Sequence, residues 1–406
     1  MVKKVAIIGA GQAASSFAAK MRNLDETAEI AMFGEETSLP YQRPPLSKKF
    51  MTGEMSREQL LLRAEDWYDQ NRIECHLNTV VEGLDRDTKT LKLSSGETVS
   101  WDKLVFATGS RARMLPAAIG GELPGVYPLR DLAHSDAIRP ELVEGRKLVI
   151  VGGGYIGLEA AAVAASLGLE VTLLEAADRI LQRVACAETS DYFRNLHESR
   201  GVKILENAML QKFEETDGRV SSAVLSDGTS LEADFALVGI GIIPNTELAQ
   251  AAGLKVEAGI CVNQHCQTSD ENIYAAGDCA IFEFDGQQTR LESVQNAIEQ
   301  AECAADNIAG NARTYSPVPW FWSDQYDIKL QIAGLNRGYD EVVARAGERE
   351  GAISHWYFNG GKFIAVDAMN DPRAYMVGKK LLEMGKGLSA EQAGDADLEL
   401  KSLLKA

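Results

Sequence analysis

Val5-Ala6-Ile7-Ile8-Gly9-Ala10-Gly11-Gln12-Ala13-Ala14 decides the fold of this chain. Its apolar, mostly β-branched opening suits a buried parallel strand. Gly9 permits a tight turn and Gly11 lets a pyrophosphate approach the backbone. Ala14 is small enough for a helix to pack closely on the strand. Phe17, Ala18, Met21 and Leu24 continue with helical spacing, so the pattern reads strand, G-x-G-x-x-A, helix. The start of such a helix offers unpaired N–H groups and a positive dipole to a phosphate. A second strand, Glu29-Ile30-Ala31-Met32-Phe33, ends at Gly34-Glu35-Glu36, and Glu35 is placed to accept hydrogen bonds from an adenosine ribose.

The construction recurs about 140 residues later. Lys147-Leu148-Val149-Ile150-Val151 runs into Gly152-Gly153-Gly154-Tyr155-Ile156-Gly157, followed by an alanine-rich helix and the strand Glu170-Val171-Thr172-Leu173-Leu174. Glu175 closes that strand. A carboxylate there favours two ribose hydroxyls and repels a 2′-phosphate, so NAD is expected over NADP, with Arg179 near enough to temper the preference. Gly152, Gly154, Ile156, Gly157 and Glu175 are the candidate contacts. Two dinucleotide sites in one chain imply two dinucleotides that meet. A flavin and a nicotinamide form the natural pair, because a flavin accepts hydride and releases electrons singly.

The 406 residues suggest two or three domains, and 45% hydrophobic with 25% charged residues is ordinary for a globular protein. With 41 Lys plus Arg against 59 Asp plus Glu, the net charge of −18 argues against nucleic-acid binding. The apolar N-terminal run is too short for a signal peptide. The longest membrane candidate, from Tyr155 to Leu174, carries Glu159 and Glu170. No membrane association and a cytoplasmic location are expected. The six cysteines form no C-x-x-C pair and the five histidines have no ligand spacing, so no metal site is expected.

These motifs, with Leu104-Val105-Phe106-Ala107-Thr108-Gly109-Ser110, Gly239-Ile240-Gly241-Ile242-Ile243-Pro244-Asn245 and Tyr274-Ala275-Ala276-Gly277-Asp278-Cys279, resemble the two-dinucleotide-binding-domain flavoproteins of glutathione-reductase-like fold. The first two segments look like that superfamily's crossings between its FAD and NAD domains, and the third like its second FAD motif. The stretch Leu39 to Lys48 lacks the cysteine pair of the disulfide reductases. Its Tyr41-Gln42-Arg43-Pro44-Pro45-Leu46-Ser47-Lys48, with Pro319-Trp320-Phe321-Trp322-Ser323-Asp324-Gln325 near the C-terminus, resembles the oxygenase-coupled NADH–ferredoxin reductases.

That resemblance implies an α/β architecture. A split FAD-binding domain (1–112 and 246–318) and an NAD-binding domain (113–245), both Rossmann-like, precede a C-terminal α+β domain (319–406). It implies hydride transfer from NADH to FAD, then single electrons to a two-iron two-sulfur ferredoxin that docks transiently and serves a haem monooxygenase or Rieske-type oxygenase. It places Ala13, Glu35, Lys48, Val81, Arg130, Asp278 and Val294 on the FAD; Arg43 is a flavin or phosphate contact or else half of a surface ion pair. Ala107 and Gly241 stand at the two crossings, and Trp320 either shields the flavin edge, lies near the docking surface or is plain core. Lys48 and Glu159 are expected to pair near the nicotinamide, with Pro44 part of a rigid wall, although a Glu in the first helical turn is also explained by the helix dipole. Val294 opens a helical pattern that either points free N–H groups at the flavin or carries an ordinary cap. Two other readings stay open: an NADH oxidase or peroxide reductase, which the missing cysteine disfavours, and a flavin-based redox-sensing interaction protein.

Overall fold

The structure, a computed structural model, describes residues 3–405. The chain forms two compact units, and each is interrupted in sequence. The first comprises 1–43, 56–111 and 242–317; the second comprises 44–55, 112–241 and 318–406.

In the first unit a five-stranded parallel sheet runs in the order Ile273–Ala275, Lys103–Phe106, Lys4–Ile8, Glu29–Phe33, Ile73–His76. The opening strand is central, so Val5, Ala6, Ile7 and Ile8 are all buried, as a strand covered on both faces requires. The helix Gln12–Leu24 follows it and packs against the helix Val294–Ile308. Both helices bury small residues, Ala14 and Ala18 on one and Ala301, Ala304 and Ala305 on the other, which allows a close approach. An antiparallel sheet, Val81–Asp85, Thr90–Leu93 and Thr98–Ser100, adds Leu91 and Leu93 to the same core.

The second unit repeats the plan with a five-stranded parallel sheet in the order Lys203–Leu205, Glu170–Leu174, Lys147–Val151, Phe235–Val238, Val126–Pro128. The helix Tyr155–Ser166 follows its central strand. The same unit holds a five-stranded antiparallel sheet, Trp320–Gln325, Ile328–Gly334, Lys362–Met369, Ile353–Asn359, Glu341–Ala346, backed by the helix Pro372–Glu383. Trp356, Phe358, Val366, Val377 and Leu381 form its core. The fold is thus two Rossmann-like sheets plus a C-terminal α+β region. Tyr155 to Leu174 folds as a helix, a turn and a strand, and no helix among the described residues is long and apolar enough to cross a membrane.

Candidate active site

Gly9 ends the first strand at φ +114°, and a Cβ there would meet the Ala107 carbonyl oxygen at 2.1 Å. Only glycine fits. Gly11 is different: its φ of −108° suits any residue, yet a Cβ there would meet nothing within 4 Å. The helix it precedes has no side-chain cap, so its first N–H groups face open space beside a glycine. Ala13 and Ala14 are buried in the first turn. Asp278 lies just past the edge strand and accepts a hydrogen bond from Ser110 Oγ at 2.9 Å. Ala107 ends the strand beside Gly9, and Val81 opens the antiparallel sheet. Val294 opens its helix behind an ordinary cap, since Ser293 Oγ accepts from the Asn296 N–H at 3.1 Å.

Of the two acids after the second strand, Glu36 is engaged. It accepts from Arg43 at 2.6 Å and from the Tyr41 hydroxyl at 2.5 Å. Glu35 is exposed, and its carboxylate makes no hydrogen bond or ion pair among the described residues. Arg43 also lies over the Tyr41 ring, 5.1 Å from its centre.

The second unit carries the matching cradle. Gly152 has φ +111° and a Cβ there would meet Gly239 O at 2.4 Å, while one on Gly157 would meet Gly152 O at 2.1 Å. Gly154 stands over open space and precedes a helix without a side-chain cap. Ile156 is 41% exposed beside it, and Gly241 turns at φ +104°. Glu175 accepts from the N–H groups of Gly153 and Ala177, each at 2.8 Å. Both cradles thus offer open backbone at a helix start, which fits the pyrophosphate of a dinucleotide.

Lys48 and Glu159 meet within this second unit. The Lys48 ammonium is 2.8 Å from Glu159 Oε1. Ser323 donates to the same oxygen at 2.7 Å, and Ser47 donates to Oε2 at 2.7 Å. Glu159 is only 5% exposed, so three donors around one buried carboxylate make a built site rather than a surface pair. Pro44 opens the 3-10 turn Pro44–Ser47 that carries Ser47 and Lys48, and Ser135 Oγ anchors that turn through Leu46 O at 3.1 Å. Arg130 lies between the strand Val126–Pro128 and the helix Leu132–Ile138. Trp320 packs near Trp322 and Tyr375, at 5.7 and 6.3 Å between ring centres, with the Lys379 ammonium 5.0 Å from its ring.

Residues 3–301 match the pyridine nucleotide-disulphide oxidoreductase family, and residues 320–404 match the reductase C-terminal family. The chain belongs to the pyridine nucleotide-disulphide oxidoreductases. Rhodocoxin reductase of Rhodococcus erythropolis is 40% identical, over 98% of this chain and 93% of that protein. The covalent complex of putidaredoxin reductase with putidaredoxin is similar at TM-score 0.96 and 38% identity, over 99% of this chain and 98% of the matched one. A ferredoxin reductase from Rhodopseudomonas palustris gives 0.95 and 40%, over 98% and 99%. This member of the family binds FAD and NAD(H), and the two cradles fit them.

The family setting sharpens two details. Arg179, close enough in sequence to compete for a 2′-phosphate, donates instead to Ala185 O at 2.9 Å, Cys186 O at 3.2 Å and Ser190. No cation is bonded to Glu175 among the described residues. The six cysteines are all free thiols, and most of them are buried. Burial raises the Cys75 thiol to about 11 and pushes Cys186, Cys261, Cys266 and Cys279 upward. Cys303 is pulled down, first by a hydrogen bond with Cys266, yet it is fully buried. Among the described residues no His, Cys, Asp and Glu cluster could hold a metal ion. Ser47, Ser110 and Ser323 were missed by sequence reasoning as functional side chains. Ser47 and Ser323 sit inside the motifs that pointed to the subgroup, and that was the available signal.

Proposed function

We propose that this chain is an NADH-dependent ferredoxin reductase that passes single electrons to a two-iron two-sulfur ferredoxin serving a haem monooxygenase or Rieske-type oxygenase. The observation that carries the reading is one chain with two glycine cradles and a Lys48–Glu159 pair where the disulfide reductases keep cysteine. Bound FAD supplies a ring that accepts hydride from NADH and releases electrons one at a time. The protein's part is orientation and charge. Gly9, Gly11, Ala13, Ala14, Ala107 and Asp278 hold the FAD, with Glu35 on its ribose and Val81, Arg130 and Val294 completing the pocket. Gly152, Gly154, Ile156, Gly157, Glu175 and Gly241 receive NADH. Lys48 brings a positive charge to the reacting end, Glu159 holds that charge in place, and Pro44 limits how the turn bearing Lys48 can move. Arg43, engaged with Glu36, shapes the adenosine end. Trp320, packed by Trp322, Tyr375 and the Lys379 ammonium, either shields the flavin edge or lies near the docking surface.

The expected domain division is the split FAD domain, the NAD domain and a C-terminal domain from 319, in a cytoplasmic protein. Its docking to ferredoxin is transient, because a net charge of −18 repels an acidic partner except across a local basic patch. Steep gain of activity at low salt supports steering by such a patch, whereas indifference to salt favours apolar contacts.

An anaerobic NADH titration of the purified protein tests the assignment. The flavin absorbance bleaches, then recovers promptly when oxidised two-iron ferredoxin is added. Bleaching without transfer to several ferredoxins points instead to an oxidase or sensor. Protein with no flavin spectrum after reconstitution with FAD overturns the reading.

A further inference from the structure

A line of hydrogen-bond donors runs through the second unit and ends on Glu159. The Tyr326 hydroxyl lies 3.5 Å from His197 Nδ1, and His197 Nε2 lies 2.8 Å from Gln325 Oε1. Gln325 Nε2 donates to Ser323 Oγ at 3.2 Å, and Ser323 donates to Glu159 Oε1 at 2.7 Å. The amide sets the polarity. Its NH2 group faces Ser323, so its oxygen must accept, and His197 must carry its proton on Nε2. Ser323, having accepted one bond, has its own proton free for the carboxylate. Each bond therefore points toward Glu159.

The residues of this line are built into the core. His197, Gln325 and Ser323 are 0% exposed, and Ser323 and Gln325 stand two apart on one strand, which puts them on one face. Burial lowers the pKa of His197, consistent with a neutral imidazole of fixed tautomer. Lys48 is the one ionisable group bonded to Glu159 among the described residues. Hydroxyl donors hold both carboxylate oxygens, Ser47 on Oε2 and Ser323 on Oε1.

We propose that Ser323, Gln325 and His197 are positioning residues that lock the orientation of the Glu159 carboxylate, and through it the place of the Lys48 ammonium. The proposal rests on the reductase reading of the same site. Proton relay is excluded by the chemistry of the line: an amide passes a proton only by becoming an imidic acid. The Tyr326 phenol, raised by burial to about 12, is moreover no ready source of one.

Stopped-flow reduction of the FAD-loaded full-length protein by NADH tests this, comparing wild type with Ser323→Ala and Gln325→Met. Ser323→Ala is expected to lower the limiting rate of flavin bleaching about tenfold, with KM for NADH and flavin content unchanged. Ser323→Thr, which keeps the hydroxyl, is expected to restore the rate, so that loss and rescue follow the donor itself. Gln325→Met, one bond farther away, shows a smaller fall of the same kind. A purely structural role predicts altered melting with a wild-type limiting rate, and that result overturns the proposal. So does a wild-type rate in both Ser323→Ala and Gln325→Met, or a Ser323→Thr variant as slow as Ser323→Ala. Wild-type flavin that NADH fails to bleach overturns the reductase reading itself, and it is seen before any variant is compared.

Discussion

Two of the carboxylates buried in the second unit, Glu159 and Asp367, are treated in opposite ways. Glu159, 5% exposed, faces the Lys48 ammonium and receives two hydroxyl protons, one on each oxygen. Asp367, 1% exposed, has no cation bonded to it among the described residues. The Tyr357 and Thr189 hydroxyls both donate to its Oδ2, while Oδ1 is buried without a partner. Burial pushes the Asp367 carboxyl up to about 7, against the downward pull of those two hydroxyls. The lesson is that depth alone does not decide whether a carboxylate serves chemistry. A buried acid with a cation and donors on both oxygens is equipped to act as a charge, whereas one with donors on a single oxygen and no cation holds its proton until the pH nears 7.

The strongest way to break this contrast is to take away the cation. Lys48→Met leaves Glu159 buried with hydroxyl donors only. The expected stability loss is about 3 kcal/mol, the usual scale for stranding a buried charge. The rate of NADH-driven flavin bleaching should fall about 100-fold, since charge and orientation are lost together. Chemical denaturation and stopped-flow absorbance read the two effects. A variant reduced as fast as wild type would remove Lys48 from the reacting centre.

Next in size are two pH slopes of opposite sign within the Asp367 cluster. The folded-state pKa of Asp367 lies above its ordinary 3.8, so the folded state binds the extra proton. Its contribution is fully present below about pH 4 and is lost as pH rises toward 7. His355 is lowered from 6.5 to about 4, chiefly by burial. Its contribution is present above 6.5 and is lost as pH falls toward 4. In the wild type the two slopes oppose each other across their shared window. Asp367→Asn should leave a stability that rises with pH there, by roughly 2 kcal/mol. His355→Asn should leave one that falls with rising pH by a similar amount, roughly 2 kcal/mol. Urea titrations at half-unit pH steps give both curves. Parallel curves in the two variants would show that neither group titrates in this window.

What could be read from sequence follows how local each feature is. Gly9 and Gly152 are needed by their own backbone angles, and Gly157 by a neighbour five residues away, so both cradles were visible in short stretches. Their flanking strands Glu29–Phe33, Lys147–Val151 and Glu170–Leu174 were bounded correctly for the same reason. The Lys48–Glu159 pair joins segments far apart in the chain and came only through resemblance. Ser323 and Gln325 share one face of the strand Trp320–Gln325 in the structure, but no local rule says that this face meets Glu159. That Tyr41 and Arg43 engage Glu36 and leave Glu35 exposed is likewise a matter of tertiary contacts. The Asp367 cluster was invisible: Thr189 reaches His355 and Asp367 across 166 and 178 residues.

The smallest expected effect isolates the hydroxyl that joins the two halves of that cluster. Thr189 Oγ1 lies 2.7 Å from His355 Nδ1 and donates its single proton to Asp367 Oδ2 at 2.9 Å. With that proton committed to the carboxylate, the hydroxyl accepts from Nδ1–H, which fixes the imidazole tautomer. Thr189→Val keeps the shape and removes the oxygen. Asp367 then retains only the Tyr357 hydroxyl, so its carboxyl should rise further, and His355 loses an acceptor. At pH 8 the loss should be about 1.5 kcal/mol, the lower end of the scale for a hydrogen bond to a charged group. At pH 5, where Asp367 is protonated in the folded state, the same substitution should cost less. Glu159 shares no partner with this cluster, so the NADH bleaching rate should not move. A fall in that rate would mean that the two carboxylates are coupled, and the contrast between them would have to be redrawn as one network.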